Sequence, residues 1–356
     1  MEKVRVFQIG CGKMSKYLMR YVYEKGGSIV GAVDINPSLL GKDIGVVMET
    51  EDKDIVISSV TDLDKLLKET KPNVAFIATM STLNDICEVA RTCLCNGVNV
   101  LTTCEEAFFA SNSNPVVFKE LDALAKANHV TMVGCGYQDV FWGNMITSIC
   151  SSMHRITKIK GRSSYNVEDY GIALAKAHGA GLTPEDFDKT IASTNHMSEE
   201  EREKLMKEKS FFPSYMWNVA GWLADKLGIH IVSMKQECFP VLCEDELQSN
   251  TLDMTLHNGM VRGMNAVVTA TTKENILLEI ECIGKVYTKD EEDENAWTIY
   301  GEPTTMVLNS KPDTVMLTCA DVVNRIPSVL KAPSGFVSTS QLESSVYIVN
   351  CFDEYL

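Results

Sequence analysis

Two adjacent acids, Glu105 and Glu106, follow a short apolar run and precede two phenylalanines. The run GVNVL (97–101) is typical of a buried strand, so the stretch TTCEEAFF (102–109) places both acids where that strand ends. A solvated turn is one explanation. The other is a site that handles a cation, because two neighbouring carboxylates can split their pKa values, one staying ionised while the other becomes a better base.

A glycine-rich loop, GCGKMS (10–15), follows the first predicted strand and begins a helix. Gly10 permits a tight turn, and Gly12 lets the backbone approach a pyrophosphate, which then lies at the helix N-terminus. Ser15 replaces the third glycine of the usual fingerprint and is small enough for the helix and strand to pack closely. We predict that the loop binds a dinucleotide through Gly10, Gly12, Lys13 and Met14.

A further acid, Asp34, ends the second predicted strand, 24 residues after Gly10. This is close to the expected position of the acid that binds the adenosine ribose 2′-hydroxyl. Because a 2′-phosphate would meet the charge of Asp34, the sequence slightly favours NAD, while the nearby Lys13 keeps NADP open. The predicted cofactor is therefore NAD or NADP.

Strands and helices alternate through the first part of the chain. Helical patterns separate five apolar runs typical of strands, with a short additional candidate at 55–60; the five are Val4–Ile9, Ser28–Val33, Val74–Ala78, Val98–Thr102 and Val130–Val133. This alternation predicts an α/β fold with a Rossmann-type, doubly wound parallel sheet. Ligands of such sheets lie beyond the carboxyl ends of the strands. The residues expected at the nicotinamide end are Thr79, Met80, Ser81, Thr103, Cys104, Glu105 and Glu106.

The alternation stops after residue 136, and the chain becomes β-rich from residue 229. After residue 136, the predicted strands are Ile156–Asn166, Met260–Thr272, Ile276–Gly284, Trp297–Gly301 and Thr305–Leu308. An acidic run, DEEDE (290–294), indicates a solvated turn. A helix is predicted over Asp313–Val329. We therefore expect a dinucleotide-binding domain (1–137), an α+β substrate and oligomerisation domain (138–308), and a C-terminal segment (309–356) that packs on the first domain.

Composition narrows the classes of function. The 356 residues carry a formal net charge of -15, with a pI of about 4.9, which disfavours nucleic-acid binding. No apolar run approaches the roughly 18 residues of a membrane span, and no signal-peptide pattern precedes the first strand, so a cytoplasmic protein is expected. Twelve scattered cysteines include no CxxC and no zinc-type spacing, so we predict free thiols and no metal.

Six motifs in combination resemble the 2,4-diaminopentanoate dehydrogenase family, a branch of the native amine dehydrogenases whose cofactor domain is like that of dihydrodipicolinate reductase. They are GCGKMS, VDINPSLLGKDIG, NVLTTCEEAFF, GCGYQDVFWGN, NVEDYG and AHGAGLTPEDF. The resemblance covers nearly the whole chain. It implies oxidative deamination of the 4-amino group of 2,4-diaminopentanoate, in ornithine breakdown, giving 2-amino-4-oxopentanoate, ammonia and reduced NAD or NADP. It also implies a catalytic glutamate, Glu105 or Glu106; Glu105 is slightly preferred because it is closer to the strand end.

The chemistry of an amine agrees with that implication. A hydride leaves only from a carbon that bears a neutral amine, so a base must first take a proton from the ammonium group. A carboxylate can do this, stabilise the iminium cation that forms and orient the attacking water. The second ammonium of a diamine needs another anion, for which the candidates are Asp139, Glu168 and Asp169; candidates for polar contacts are Gln138, Asn166 and His178. A structural role stays open for each, such as turn capping by Asp169 or a helix C-terminal cation at His178.

Other readings of the sequence lack a required motif. Sugar and inositol dehydrogenases carry Glu-Lys-Pro where this chain has Glu105-Glu106-Ala107, and short-chain dehydrogenases need a Tyr-x-x-x-Lys helix that is missing at the expected place. The stretch KAPSG (331–335) is similar to a dihydrodipicolinate reductase signature, but it lies near the C-terminus without paired histidines. Another amine or imine oxidoreductase, or a non-catalytic dinucleotide sensor, remains as an alternative. The expected partners are a small diamine or amino-acid substrate and a second copy in a homodimer, with neither nucleic acid nor membrane.

Overall fold

The computed structural model describes residues 4–208 and 213–356. The chain divides into two compact units, the first formed by Met1–Met145 with Asp313–Leu356 and the second by Ile146–Pro312. Residues 138–145 therefore belong to the first unit and residues 309–312 to the second, which differs from the bounds expected from the sequence.

The described ranges contain fifteen strands and twelve α-helices. The strands are β1 (Arg5–Ile9), β2 (Ser28–Asp34), β3 (Ile57–Ser59), β4 (Val74–Ile77), β5 (Asn99–Thr102), β6 (Thr131–Gly134), β7 (Arg155–Asn166), β8 (Ile231–Leu242), β9 (Leu247–Ser249), β10 (Met254–Leu256), β11 (Val261–Thr272), β12 (Leu277–Lys285), β13 (Glu294–Glu302), β14 (Thr305–Ser310) and β15 (Gly335–Phe336). The helices are α1 (Ser15–Glu24), α2 (Ile44–Met48), α3 (Leu63–Thr70), α4 (Leu83–Cys95), α5 (Pro115–Ala127), α6 (Met145–Cys150), α7 (Ile172–Ala177), α8 (Pro184–Thr190), α9 (Glu199–Lys207), α10 (Tyr215–Leu227), α11 (Thr314–Asn324) and α12 (Ile326–Leu330). In the described part of the chain, no helix is both long enough and apolar enough to cross a membrane.

The first unit is built on a seven-stranded sheet with the order β15-β6-β5-β4-β1-β2-β3. All neighbouring strands run parallel. Since β1 lies between β2 and β4, the strand order reverses there, as in a doubly wound dinucleotide-binding sheet. The predicted fold class is confirmed, and the C-terminal segment adds β15 beside β6.

Both faces of this sheet are covered. Val6 of β1 and Val4, which precedes the strand, belong to a core cluster with residues of α1 and α11, whereas Phe7 and Ile9 belong to a second cluster with residues of α3, α4 and α5. Successive strand residues point to opposite faces, so a strand covered on both faces needs an unbroken apolar run. Because of that requirement, the strands of this unit could be predicted from their apolar runs.

The second unit contains a six-stranded sheet with the order β14-β13-β7-β12-β11-β8. The β7–β12 pair is parallel, and the other neighbours are antiparallel. Helix α10 packs on this sheet and buries Trp217 and Trp222. The result is the mixed α+β unit that the sequence predicts after the parallel sheet.

The single helix predicted over Asp313–Val329 is wrong, because the segment forms α11 and α12 with a break at Arg325. Pro327 lies in the first turn of α12. Proline has no N–H to donate and its ring clashes with the preceding turn, so it is accepted at a helix start rather than in a helix interior.

The acidic run 290–294 was expected to form a solvated turn, but one of its acids is paired with residues of the sheet. Glu291 forms ion pairs with Arg262 (2.7 Å) and Lys285 (2.5 Å), whose side chains are only 13% and 12% exposed. Burial opposes ionisation of Glu291, but hydrogen bonds from Arg262 and Lys285 outweigh it and lower the pKa to about 2. The turn is therefore anchored to the sheet through one of its acids.

We expect Glu291→Gln to destabilise the protein by about 1–2 kcal/mol, because two partly buried cations lose their shared partner. Glu292→Gln is the matched control, since Glu292 pairs with the exposed Lys311 and such pairs contribute little. Because the pKa of Glu291 is lower in the folded chain than its ordinary value of 4.5, its stabilising effect is present above pH 4.5 and lost as the pH falls towards 2. Thermal unfolding of both variants at pH 7 measures the difference; equal midpoints would contradict the anchoring role.

Candidate active site

The two glycines of the first loop meet different demands. A Cβ on Gly10, which has φ +86°, would lie 2.5 Å from the carbonyl oxygen of Ala78 and 2.6 Å from Cγ2 of Thr79. At Gly12, no atom of the described residues lies within 4 Å of such a Cβ. The fold itself therefore requires Gly10, whereas Gly12 leaves open backbone of the kind that a pyrophosphate can approach.

The N-terminus of α1 is open to an anion. Met14 occupies the N-cap position without a side-chain capping bond, and no acid lies in the first turn. The first N–H groups of a helix need a partner from outside the helix and favour negative charge. Lys13 beside them is exposed, and Ser15 is buried with its hydroxyl donating to the carbonyl of Gly12 at 2.7 Å. These residues fit the phosphates of a dinucleotide.

The acid at the end of β2 is tied to the glycine loop. The Asp34 carboxylate accepts hydrogen bonds from the N–H of Cys11 at 2.5 Å and from the N–H of Asn36 at 2.7 Å. The side chain is only partly buried. Asp34 therefore stands at the carboxyl edge of the sheet beside the loop, where the sequence predicts contact with the adenosine ribose.

We expect Asp34→Ala to weaken NAD binding about 10- to 100-fold, because a hydrogen bond to a carboxylate contributes about 1.5–3 kcal/mol. NADP should lose less affinity, since the variant also removes a negative charge that would repel a 2′-phosphate. Fluorescence titration with both reduced cofactors measures the two dissociation constants. An unchanged ratio of the NAD and NADP dissociation constants would show that Asp34 does not set the preference. Asp43 also caps a turn by accepting hydrogen bonds from backbone N–H groups. The variant Asp43→Ala is therefore the control for loss of loop structure.

The residues that follow β4 and β5 differ in accessibility. Thr79 and Met80 are exposed, and Ser81 and Thr103 are partly buried. Cys104 is fully buried, and its Sγ lies 3.1 Å from the carbonyl oxygen of Ser81. The thiol of Cys104 is thus turned inward, where it links the residues that follow the two strands.

Glu105 begins the 3₁₀ segment Glu105–Asn112, which is separated from β5 by Thr103 and Cys104, and the residue is partly exposed. Burial raises the pKa of Glu105, and a hydrogen bond with the side chain of Ser81 partly opposes that rise. A carboxylate with a raised pKa is a stronger base than an ordinary surface glutamate. Glu105 therefore has the properties that proton transfer at this edge requires.

Glu106 occupies a different environment and is only 8% exposed. Its carboxylate accepts hydrogen bonds from the N–H of Leu83, at 2.5 Å, and from the hydroxyl of Ser113, at 3.1 Å. Burial again raises the pKa. Leu83 is the first residue of α4, so Glu106 lies at a helix N-terminus, where a negative charge is favoured. The two neighbouring glutamates are thereby separated into a partly open group and a bonded, buried group.

The loop after β6 holds two of the predicted substrate residues. Gln138 is 7% exposed, and its Nε2 has no hydrogen-bond partner within the described part of the chain. Asp139 is fully buried and accepts hydrogen bonds from Nε of Arg325 at 2.7 Å and from the side chain of Asn144 at 2.9 Å. Gln138 thus has a free donor to offer, whereas Asp139 already has a buried cation as its partner.

Arg325 was missed by the reasoning from sequence. Its side chain is fully buried, and its partner Asp139 is 186 residues away along the chain. The one local signal is a lone arginine inside the apolar run DVVNRIPSVL (321–330). A charge in such a run is rarely buried without a partner, but the sequence does not identify that partner.

In the second unit, the predicted acids lie just after β7. The Asn166 side chain accepts a hydrogen bond from the N–H of Glu168, whose own carboxylate accepts from the hydroxyl of Ser249 (2.7 Å) and the N–H of Thr251 (3.0 Å). Asp169 is exposed. Asn166 and Glu168 therefore order this turn, and Asp169 keeps its carboxylate in solvent.

His178 is buried at the C-terminal end of α7. Its Nδ1 lies 2.9 Å from the carbonyl oxygen of Leu174, and its Nε2 lies 2.7 Å from the hydroxyl of Tyr165. Because a carbonyl only accepts, Nδ1 carries the proton and Nε2 accepts from Tyr165 in the neutral ring. Burial lowers the pKa of His178, so the alternative of a helix-terminal cation is not favoured. Both ring nitrogens are engaged with protein groups.

Comparison with known proteins identifies the family. The model of the family described as "2,4-diaminopentanoate dehydrogenase C-terminal domain" matches residues 141–355. The 2,4-diaminopentanoate dehydrogenase of Acetoanaerobium sticklandii is 26% identical over 199 residues, an alignment that covers 54% of each chain. This chain thus spans about half the length of that curated relative.

Solved structures extend the similarity to the whole chain. The amine dehydrogenase from Mycobacterium smegmatis has a TM-score of 0.83 and 32% identity over 98% of both chains. The myo-inositol 2-dehydrogenase from Lactobacillus plantarum has a TM-score of 0.54, but only 11% identity, over 92% of this chain and 90% of its own. The second likeness shows a shared fold alone. The family model and the similarity to the amine dehydrogenase together establish that this chain belongs to the 2,4-diaminopentanoate dehydrogenase family.

Proposed function

We propose that this chain is a nicotinamide-dependent amine dehydrogenase that removes the 4-amino group of 2,4-diaminopentanoate oxidatively. The products are 2-amino-4-oxopentanoate, ammonia and the reduced cofactor. The observation that carries the proposal is the position of Glu105, a partly exposed residue whose pKa is raised by burial, just beyond the carboxyl end of β5. The family's match over 141–355 supplies the substrate class.

The loop 10–15 and Asp34 are the residues that would hold the cofactor. Gly12 leaves backbone open to a ligand, the N-terminus of α1 lacks a side-chain cap, and the loop's Cys11 N–H is bonded to Asp34. These features fit a pyrophosphate with its adenosine ribose. A bound nicotinamide supplies the hydride acceptor. NAD is the slightly favoured form because of the charge at Asp34.

Glu105 is the proposed base. An ammonium group must lose a proton before its carbon can release a hydride, and the raised pKa makes the Glu105 carboxylate better able to take that proton. After Glu105 has passed that proton to solvent, its carboxylate stabilises the positive charge of the substrate iminium and orients the water that attacks it. The water supplies the oxygen of the new carbonyl, the nitrogen leaves as ammonium, and one proton is released to solvent.

Two further residues have side chains suited to the other groups of a diamino acid. The Nε2 donor of Gln138 has no partner among the described residues and is suited to the substrate carboxylate. Asp169 is the exposed acid among the three candidates for a second ammonium, since Asp139 is paired with Arg325 and Glu168 with Ser249. We retain Gln138 as a proposed substrate contact, and the contact expected for Asp169 stays a prediction.

A spectrophotometric assay of the full chain tests the proposal. The protein is mixed with NAD or NADP and with 2,4-diaminopentanoate, ornithine, alanine or an aliphatic monoamine, and the reduced nicotinamide and ammonia are both followed. We expect equal amounts of the two products with 2,4-diaminopentanoate and slower or no reaction with the others. Faster turnover of a monoamine would overturn the substrate but not the reaction type.

The non-catalytic alternative is separated by a binding measurement on the same sample. A dinucleotide sensor binds NAD or NADP through the loop 10–15 but reduces it with none of these amines. An amine dehydrogenase does both. Binding without reduction across the whole panel would therefore overturn the proposed reaction and favour the sensor.

A further inference from the structure

We infer that Gln8 is a positioning residue, which holds the carboxylate of Asp34 in the orientation that binds the adenosine ribose of the cofactor. The inference rests on the proposed function, in which Asp34 contacts that ribose. Gln8 is fully buried in β1, so its role does not require contact with the ligand. Its effect passes through the peptide group that joins Gly10 to Cys11.

The side-chain amide of Gln8 departs from the apolar pattern of β1. Its neighbours Phe7 and Ile9 are apolar, and the sheet is covered on both faces. The Oε1 atom of Gln8 is buried without a hydrogen-bond partner among the described residues. An unsatisfied buried acceptor destabilises a fold, and an apolar side chain would not bury one. The stability of the sheet therefore does not explain the amide, whereas the hydrogen bond that its Nε2 atom donates does.

That hydrogen bond reaches the glycine loop. The Nε2 atom of Gln8 donates to the carbonyl oxygen of Gly10 at 2.8 Å, and the bond is buried. The N–H of Gly10 donates to the carbonyl of Val33 at 2.9 Å, which ties Gly10 to β2 but does not fix the peptide group that follows it. Gly10 has φ +86°, and a glycine restricts its own backbone less than any other residue. The bond from Gln8 therefore sets the direction of the peptide group after Gly10.

The same peptide group carries the N–H of Cys11. A trans peptide is planar, so its carbonyl and its N–H point in opposite directions and turn together. The N–H of Cys11 donates to Oδ2 of Asp34 at 2.5 Å, and the N–H of Asn36 donates to Oδ1 at 2.7 Å. Each carboxylate oxygen thus has one backbone donor, and the donor at Oδ2 belongs to the peptide group that Gln8 holds from its other side.

Asp34 is still able to bind a ligand, because the residue is partly exposed and each carboxylate oxygen can accept more than one hydrogen bond. A ribose presents neighbouring hydroxyl groups, so a carboxylate that has turned about its own axis would misplace both acceptors. A carboxylate that is already oriented avoids the cost of being ordered on binding. Gln8 should therefore raise the affinity for ligands that carry the adenosine ribose, and only through Asp34.

The test is a double-mutant cycle on cofactor binding. Fluorescence titration gives the dissociation constants of NADH and of reduced nicotinamide mononucleotide, which lacks the adenosine ribose. Gln8→Met should weaken NADH binding about five- to tenfold, the effect of one hydrogen bond, and leave mononucleotide binding unchanged. In an Asp34→Ala background, Gln8→Met should have no further effect on NADH, because both act by one route. An equal effect in both backgrounds would overturn the inference.

The matched control for this cycle is Gln236→Met. Gln236 is another buried strand glutamine, and its Oε1 accepts the N–H of Ser214 at 2.7 Å. The same substitution there removes a buried amide and its bond to the backbone, but at a distance from the glycine loop along the chain and in the second unit. Both dissociation constants should stay at the wild-type values in this variant.

A second measurement needs no variant of Gln8. Energetic coupling between two groups is reciprocal, so Asp34→Ala should shift the side-chain amide signal of Gln8 in ¹⁵N NMR and leave the signal of Gln236 in place. An unchanged Gln8 signal overturns the inference, even if Gln8→Met fails to fold. If Asp34→Ala leaves NADH affinity intact, the contact with the ribose and the inference both fail. If the cycle gives the expected result but the protein oxidises no amine, the proposed reaction fails while the positioning of Asp34 stands.

Discussion

Glu105→Gln is expected to lower kcat for amine oxidation by about 10²–10⁴-fold, the usual contribution of a positioned base, while cofactor affinity stays close to that of the wild type. Glutamine has the same length as glutamate but cannot take a proton from the substrate ammonium. It also removes the negative charge that faces the iminium. Stopped-flow reduction of the cofactor, together with a fluorescence titration, separates the loss of chemistry from any loss of binding.

The pH dependence adds a second criterion for Glu105. Because burial raises the pKa of Glu105, the ionised base becomes available only as the pH rises through that raised value, so wild-type activity should increase towards alkaline pH. The Glu105→Gln variant should lose that part of the profile. Glu120→Gln, at an exposed ion pair with Arg91, is the matched control. Wild-type-like rates in Glu105→Gln would contradict the assignment.

The sequence predicted the part of the site that depends on neighbours along the chain. Gly10, Gly12 and Asp34 lie at the ends of two strands whose apolar runs are continuous, and the fold follows from that alternation. The position of Glu105 and Glu106 after β5 was predicted in the same way. Local pattern was enough because a parallel sheet brings all these strand ends to one edge.

The sequence did not predict which neighbours would surround each acid. The different surroundings of Glu105 and Glu106 depend on Ser81, Leu83 and Ser113, which belong to other turns. The two glutamates are identical in residue type and differ only in the direction in which their side chains point. Direction is set by tertiary contacts, which neither spacing nor residue type contains.

The ion-pair partners of buried and partly buried acids were also not predicted from the sequence. Asp139 was a candidate for substrate binding until the structure placed Arg325 beside it, and Glu291 was expected in solvent until Arg262 and Lys285 were found around it. Arg325 is 186 residues from Asp139 and Arg262 is 29 residues from Glu291, whereas Lys285 is only six residues from Glu291. Such partners cannot be inferred from one sequence, because a charged residue has many possible partners of opposite sign.

The buried group around Arg325 contains two acids and one guanidinium. Arg325 and Asp139 have fully buried side chains, and Asp321, which accepts the N–H of Gly136 at 3.1 Å, is 4% exposed. Burial and the charge of Asp139 raise the pKa of Asp321 to about 8, with Arg325 opposing that rise. Arg325 also donates to the carbonyl of Glu343. The group thus ties α11 to the loop after β6 and to the C-terminal segment.

Arg325→Met should destabilise the first unit by about 3–5 kcal/mol, because it leaves the buried carboxylate of Asp139 without its cation. The double variant Arg325→Met/Asp139→Asn should recover part of that loss, since it removes the uncompensated charge. Arg91→Met is the matched control: Arg91 pairs with exposed glutamates, so its loss should cost less than about 1 kcal/mol. Urea unfolding followed by circular dichroism at pH 7 gives the three values.

The pH dependence of stability tests the same group with a defined sign. The pKa of Asp321 is about 8 in the folded chain, against an ordinary value of 3.8, so the folded state holds a proton that the unfolded state has lost between these values. The stability that Asp321 contributes is therefore present below about pH 4 and lost as the pH rises to about 8. Asp321→Asn should flatten that decline, and Arg325→Met should extend it to higher pH, because removing the guanidinium raises the pKa of Asp321 further. If both variants keep the wild-type slope, Asp321 does not hold a proton in the folded chain and the charge balance argued for this group is wrong.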